Sequence, residues 1–386
     1  MTVVTNKILN NKCTGCSACL NICPEQAISM KKNKEGFLFP VIDSKKCTKC
    51  LFCEKVCPIL KKSEIQKNTL NKIYAVKSRN QKTQTSSSSG GTFSELARYF
   101  LDQKGLVFGV SFENNLTKHI FIDNKKDIRK LRGSKYLQSY IGNSFLLVEK
   151  FLKNKKKVLF VGLPCQIAGL KSFIELKGVN KKNLFLVDLA CHGVPSYKIF
   201  NDHILDISNG KKIINVEFRN KKSGWKFYSL AYSFEKGDKI IFEYTKDFFM
   251  RGYLRNYFLR KSCYDCKFSK LPRQGDITLA DFWGIPSKYY DNRGVSLVLL
   301  SSKKGREVFK KIKKDVYFKT FDSNLISPKS RVVSGKYSKQ QYAQRKEFFE
   351  DYFSKGYGYC KNKYFKSSIR EDLINMIKKL KWKIIK

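Results

Sequence analysis

Cys13-Thr14-Gly15-Cys16-Ser17-Ala18-Cys19-Leu20-Asn21-Ile22-Cys23-Pro24 and Cys47-Thr48-Lys49-Cys50-Leu51-Phe52-Cys53-Glu54-Lys55-Val56-Cys57-Pro58 share one frame, C-x2-C-x2-C-x3-C followed by proline. Three thiolates at this spacing wrap one corner of an iron–sulfur cubane, and the fourth cysteine of each run crosses to the other cluster. The frame assigns Cys13, Cys16, Cys19 and Cys57 to one 4Fe-4S cluster, and Cys23, Cys47, Cys50 and Cys53 to a second. Pro24 and Pro58 turn the chain away, because proline fixes φ and has no N–H. Zinc usually takes four ligands in paired CxxC or CxxH units, and disulfides belong to oxidising compartments. Eight ligands in two fours favour cubanes over either.

The chain has 386 residues, enough for two or three domains, and 42% of them are hydrophobic, ample for a core. Met1 to Lys12 has no apolar h-region or cleavage pattern, so no signal peptide is expected. Apolar runs such as Val158–Val161 and Leu184–Val187 are far short of a membrane span. A soluble, cytoplasmic protein is expected. Lys and Arg outnumber Asp and Glu by 77 to 32, a formal charge of +45. Such a charge favours acidic partners. The cations are nearly all lysine and spread along the whole chain, with no helix-turn-helix, RNA-recognition or zinc-finger pattern, so nucleic acid is not expected as a partner.

Residues 1–60 read as a ferredoxin-type domain with a strand at 37–42, and residues 61–72 as a Lys-rich linker. Strand patterns at 73–77, 106–112, 119–123, 158–162 and 184–189 alternate with helical patterns at 93–104, 145–156, 163–173 and 196–207. That rhythm predicts an α/β body with a parallel sheet and its ligands at the C-terminal strand ends. Residues 213–244 switch to alternating strands with turn signals, predicting an antiparallel insertion. A helix is expected over 247–260, with strands at 276–282 and 295–300. The domain scheme is 1–60, a linker at 61–72, two parts of one body at 73–150 and 151–320, and a basic helical tail at 321–386. The tail from Ile369 to Lys386 has the pattern of a helix that can lie on an anionic membrane surface, pack on the body or close a homo-oligomer.

Cys165 and Cys191 directly follow two of the buried strands, so their loops share one sheet edge, and Cys263-Tyr264-Asp265-Cys266 can join them from another loop. Four thiolates there suit a third 4Fe-4S cluster. Separate buried thiols and a structural zinc remain alternatives on spacing alone. Cys360 has no partner pattern. His119 and His203 read as surface or packing residues, and His192, in a motif loop beside Cys191, as a proton-transfer candidate. The Ser86–Gly91 turn precedes a helix, whose N-terminal N–H groups with serine hydroxyls form an anion site that glycines let a phosphate approach.

Six co-linear stretches resemble the coenzyme F-420 hydrogenase/dehydrogenase beta-subunit family, in the form fused to a double 4Fe-4S ferredoxin domain. They are residues 87–94 (SSSGGTFS), 131–139 (LRGSKYLQS), 162–170 (GLPCQIAGL), 188–196 (DLACHGVPS), 262–268 (SCYDCKF) and 275–284 (GDITLADFWG). The resemblance implies an α+β protein, a ferredoxin-type dicluster domain followed by an α/β flavin-binding body with an antiparallel insertion. It implies FAD in that body and an iron–sulfur cluster beside it. Carried over by position, Cys165, Cys191, Cys263 and Cys266 become the ligands of that cluster. Ser88, Ser89, Gly90, Gly91, Lys135, Gln138 and Ser139 become flavin contacts, and Asp281 and Trp283 border the same pocket.

A flavin interconverts hydride and single-electron transfer, so the resemblance implies an iron–sulfur flavoprotein oxidoreductase working with a redox partner protein or a small-molecule hydride donor. Relatives run electrons in either direction, and bacterial ones often look like members of surface-polysaccharide gene sets. No NAD fingerprint is recognisable. The alternatives are an electron-transfer subunit that feeds a separate enzyme and a module whose clusters are structural.

Overall fold

The computed structural model describes residues 12–61 and 72–365. The linker expected between them and the tail from Ile369 lie outside the described residues.

The N-terminal module repeats itself in backbone as well as in sequence. Helix α1 (Ala18–Ile22) follows the first cysteine loop, then strands β1 (Ile28–Lys32) and β2 (Leu38–Ile42), then helix α2 (Phe52–Lys55) after the second loop. The two strands form an antiparallel hairpin with Ile28 opposite Ile42 and Lys32 opposite Leu38.

The body opens with β3 (Lys72–Ser78), α3 (Gln81–Ser86), α4 (Thr92–Asp102) and the hairpin β4 (Leu106–Glu113) and β5 (Leu116–Ile122). It continues through α5 (Ile128–Leu131), α6 (Ser144–Lys153), β6 (Val158–Gly162), α7 (Pro164–Leu176), β7 (Leu184–Leu189) and α8 (Tyr197–Ser208). Strands β8 (Ile213–Asn220), β9 (Ser229–Phe234) and β10 (Lys239–Glu243) and helix α9 (Phe248–Leu254) form the insertion. The chain then returns through β11 (Ile277–Asp281), β12 (Ser296–Leu300), α10 (Lys303–Ile312), β13 (Val316–Asp322) and α11 (Lys339–Phe365). The last helix is broken at Gly356, where φ is 83°.

Eight strands make the main sheet, in the order β13-β3-β12-β11-β7-β6-β4-β5. Its centre, β4, β6, β7 and β11, is parallel. The flanking pairs are antiparallel. Every residue of β6 is buried, because a central parallel strand is covered on both faces and reads as one apolar run. Leu159 and Val161 face Leu96 and Phe100 of α4 and Ile312 of α10. Val158 and Phe160 face Phe145 and Val148 of α6 and Ile167, Leu170 and Phe173 of α7. Each such side chain contributes about 1.5–3 kcal/mol on burial. Ala18, Ile22 and Val56 of the ferredoxin module join that second core, so the module packs on the α6–α7 side of the sheet.

The antiparallel insertion is a three-stranded sheet in the order β10-β9-β8. With α8, α9 and α11 it encloses an aromatic core that includes Phe218, Tyr232, Phe248, Phe258 and Phe348. The helix expected over 247–260 stops at Leu254, because Asn256 takes a left-handed φ of 68°. The segment beyond is turned back so that Leu259 bridges to Pro195.

Candidate redox site

The cysteine loops of the N-terminal module have matching local geometry. Gly15 and Lys49, each just before the second cysteine of its run, have φ of 68° and 57°. Ser17 and Leu51, just after that cysteine, both have φ of 62°. Alternation of left-handed and right-handed residues turns successive N–H groups inward, the concave nest that holds anions and iron–sulfur centres. Gly15 N–H points to Cys13 Sγ at 3.4 Å, and Ala27 N–H to Cys23 Sγ at 3.3 Å.

Around one space lie Cys13, Cys16, Cys19 and Cys57, with Cys53 and Pro58. A cavity of about 380 Å³ is lined by Cys23, Cys47, Cys50 and Cys53. Both quartets combine a first-run and a second-run cysteine. Burial pushes the Cys16 thiol up to about 12 and the Cys53 thiol up to about 11. Thiols at such a cost of ionisation become thiolates only against a metal, which deprotonates them outright. Among the described residues no three His, Cys, Asp or Glu side chains stand at the spacing that a single ion needs. A cubane instead spreads its thiolates over separate corners.

The other four cysteines converge from three places. Cys191 follows β7. Cys165 is the second residue of α7, whose first, Pro164, occupies the position where a missing N–H costs nothing. Cys263 and Cys266 arrive on a loop held by the bridge between Asp265 and Lys336. Burial raises the Cys165 thiol, and the nearby Cys266, Cys191, Cys16 and Cys263 raise it further. Burial lifts Cys191 to about 12 and Cys263 to about 11, each helped by its neighbours in the set. Cys16 thus reaches this set from the ferredoxin quartet.

The CxxC loop also clasps the ferredoxin module. Ser262 Oγ donates to Cys13 O at 3.0 Å, and Arg260 Nε donates to the same oxygen at 2.7 Å. Lys267 Nζ donates to Pro58 O at 3.1 Å and to Lys61 O.

At the C-terminal ends of β4, β6, β7 and β11 lies a cleft of about 270 Å³. Its walls include Ser87–Ser89 and Gly91–Phe93 at the start of α4, the Arg132–Leu137 loop, Gly162, the Leu189–Val194 loop and Asp281. Cys191 belongs both to the cleft wall and to the set with Cys165, Cys263 and Cys266. Thr92 is 1% exposed, and its Oγ1 has no partner among the described residues. An orphaned hydroxyl at a helix N-terminus, flanked by serines, fits the phosphate end of a flavin. Gly90 packs so tightly that a Cβ there would lie 2.1 Å from Val76 O. Lys135 is half-buried, and its Nζ donates to Lys130 O at 3.3 Å and Arg132 O at 2.8 Å; desolvation lowers its pKa to about 7.

The residues named from the sequence divide as follows. Ser88, Ser89, Gly91, Lys135, Ser139, His192 and Asp281 line the cleft. Gly90 is turned into the fold, its N–H donating to Ser296 Oγ. Gln138 faces the ferredoxin module, its Nε2 donating to Thr14 O at 2.7 Å. Trp283 stacks on Trp225 at 4.8 Å and is half exposed, away from the cleft wall. His192 contacts Tyr253 O at 3.0 Å, and burial lowers its pKa to about 4, so it is neutral near pH 7. His119 and His203 are buried packing residues.

Arg260 and Thr92 were not legible as site residues. Their only signals were proximity in sequence to the CxxC pair and to the Ser-Gly-Gly turn. A second, more polar cleft shares the Arg132–Lys135 loop and adds Arg129, Lys130, Arg219, Lys221 and Lys222. Burial lowers Lys221 to about 8.

Residues 155–324 match the family model for the C terminus of the coenzyme F420 hydrogenase/dehydrogenase beta subunit, and residues 12–59 match a 4Fe-4S dicluster domain. Residues 155–324 thus carry the C-terminal domain of this beta-subunit family, behind a 4Fe-4S dicluster domain. The chain is an iron–sulfur protein of the oxidoreductase and electron-transfer class. Among curated proteins no match is found. Of solved structures, a chain of the F420-reducing [NiFe] hydrogenase complex from Methanosarcina barkeri is similar, with 18% identity and a TM-score of 0.48 over 72% of this chain and 91% of that one. Among the described residues, no helix is long and apolar enough to cross a membrane.

Proposed function

We propose that the chain interconverts hydride and single-electron transfer, using FAD in the cleft, a 4Fe-4S cluster on Cys165, Cys191, Cys263 and Cys266, and the two ferredoxin clusters. The observation that carries the reading is the convergence of those four cysteines beside the cleft, with Cys191 on its wall and Cys16 within electrostatic reach of Cys165. Bound flavin supplies a centre that exchanges a hydride on one side and single electrons on the other. The chain's residues do the rest. Ser88, Ser89, Gly91, Thr92 and Lys135 hold the anionic part of the cofactor. Half-buried, neutral His192 stands on the wall where a proton must be given or taken. The basic cleft around Arg132, Lys221 and Lys222 suits an anionic small-molecule hydride partner.

Thirteen free cysteines call for a reducing compartment, which supports a cytoplasmic setting. The surface-polysaccharide setting rests on the family resemblance and on no residue of the site.

Replacing Cys263 and Cys266 with serine should remove about four irons per chain while the ferredoxin signals persist in the electron paramagnetic resonance spectrum. An unchanged iron count excludes the pair as ligands.

A second reading, an electron-transfer subunit feeding a separate enzyme, is supported by the exposure of Cys50 with Leu51 and Phe52, where the distal cluster edge meets solvent. Turnover of a hydride donor by the isolated chain excludes it.

A further inference from the structure

Arg260 is 1% exposed and lies where the two cysteine sets adjoin. Its Nε holds Cys13 O, its Nη1 reaches Gln138 Oε1 at 3.3 Å, and its guanidinium lies 4.2 Å from the centre of the Phe39 ring. Its positive charge also acts on Cys263, whose backbone N–H donates to Arg260 O at 2.9 Å. Among the described residues it makes no ion pair, and its Nη2 is buried with no partner. A buried cation without an anion, and with a donor left over, is costly. The site therefore calls for negative charge that the protein atoms do not supply.

Arg331 repeats the arrangement beside Cys191 and Cys263. It donates to Cys191 O and Cys263 O, and its buried Nη1 has no partner among the described residues. Gly15 makes room for Arg260: a Cβ there would stand 2.9 Å from Nη1.

We propose that Arg260 is a positioning residue shared by two iron–sulfur clusters, the one on Cys13, Cys16, Cys19 and Cys57 and the one on Cys165, Cys191, Cys263 and Cys266. Its charge stabilises the reduced, more negative form of each, and so keeps both potentials high enough for electrons to pass between them. The second cluster is the one put forward under the proposed function. One electron leaves one cluster, which is oxidised, and enters the other, which is reduced. No proton moves, because a guanidinium does not deprotonate in proteins. Arg331 does the same for the second cluster alone.

The test is a potentiometric titration of the anaerobically purified full chain, followed by electron paramagnetic resonance, with iron counted per chain. In Arg260→Gln the midpoints of both adjoining clusters should fall, while the cluster on Cys23, Cys47, Cys50 and Cys53 keeps its midpoint and the iron count holds. Arg260→Lys should stay near the wild-type values. Unmoved midpoints, or an equal shift of all three clusters, overturn the proposal. If Arg260→Gln loses iron, Arg331→Gln decides: a lower midpoint for the second cluster alone supports the mechanism, and an unchanged one refutes it. About eight irons in the wild-type chain would remove the second cluster itself. The effect of Arg260 on the ferredoxin cluster would then still be measurable, so the two failures are distinguishable.

Discussion

Lys135 shows how one side chain links burial, charge and ligand. Its ammonium is held on two backbone carbonyls with no carboxylate beside it among the described residues, and desolvation brings its pKa to about 7. The sign follows from linkage. An unfolded lysine titrates near 10.4, so between about pH 7 and that value the unfolded chain holds a proton that the folded chain has lost. Stability from this group therefore rises with pH across the window. Anion binding goes the other way, because a phosphate prefers the charged ammonium. FAD affinity of the flavin-free protein should fall as pH rises above about 7, by at most about tenfold per pH unit for one linked proton. In Lys135→Met the slope should flatten. A titration with FAD at several pH values checks this, and an equal slope in the variant would contradict it. The eight ferredoxin cysteines were legible at this scale because their spacing is local. The bond from Gln138 to Thr14 O was not, because the two are 124 residues apart.

Elements hold the redox centres in register, and the clearest clamp joins the N-terminal hairpin to α11. Arg345 Nη2 meets Glu35 Oε2 at 2.5 Å, both side chains nearly excluded from water, and Arg345 Nε donates to Leu259 O at 2.6 Å. Removing one partner of a buried pair leaves the other charged and unpaired, at a cost of about 3–5 kcal/mol. Arg345→Met should lower stability by that order in chemical denaturation, and adding Glu35→Gln should recover part of the loss. If the single variant is as stable as the wild type, the clamp does not fasten the module. The sequence disclosed β6 and β7 to the residue, since buried parallel strands are unbroken apolar runs. It did not disclose α10, whose buried face of Gly305, Phe309 and Ile312 is scattered among lysines. Nor did it disclose where α9 ends, which depends on one left-handed asparagine.

At the scale of the molecule, a ferredoxin module sits against an α/β body so that two cysteine sets adjoin and a third faces solvent. The sequence placed Cys165 and Cys191 on one sheet edge, because both follow parallel strands. Docking of the module on the CxxC loop through Ser262, Arg260 and Lys267 is a tertiary event with no periodic trace in the chain. The exposed ion pair Lys61–Glu175 contributes little to that docking; the buried apolar contacts of Ala18, Ile22 and Val56 contribute more. The central claim is a continuous path from cleft to distal cluster. Its most direct test is to purify the protein without oxygen and measure iron, acid-labile sulfide and extractable flavin per chain. About twelve irons with matching sulfide and one FAD are expected. About eight irons and no flavin would contradict the account, leaving a ferredoxin module on a body with some other purpose.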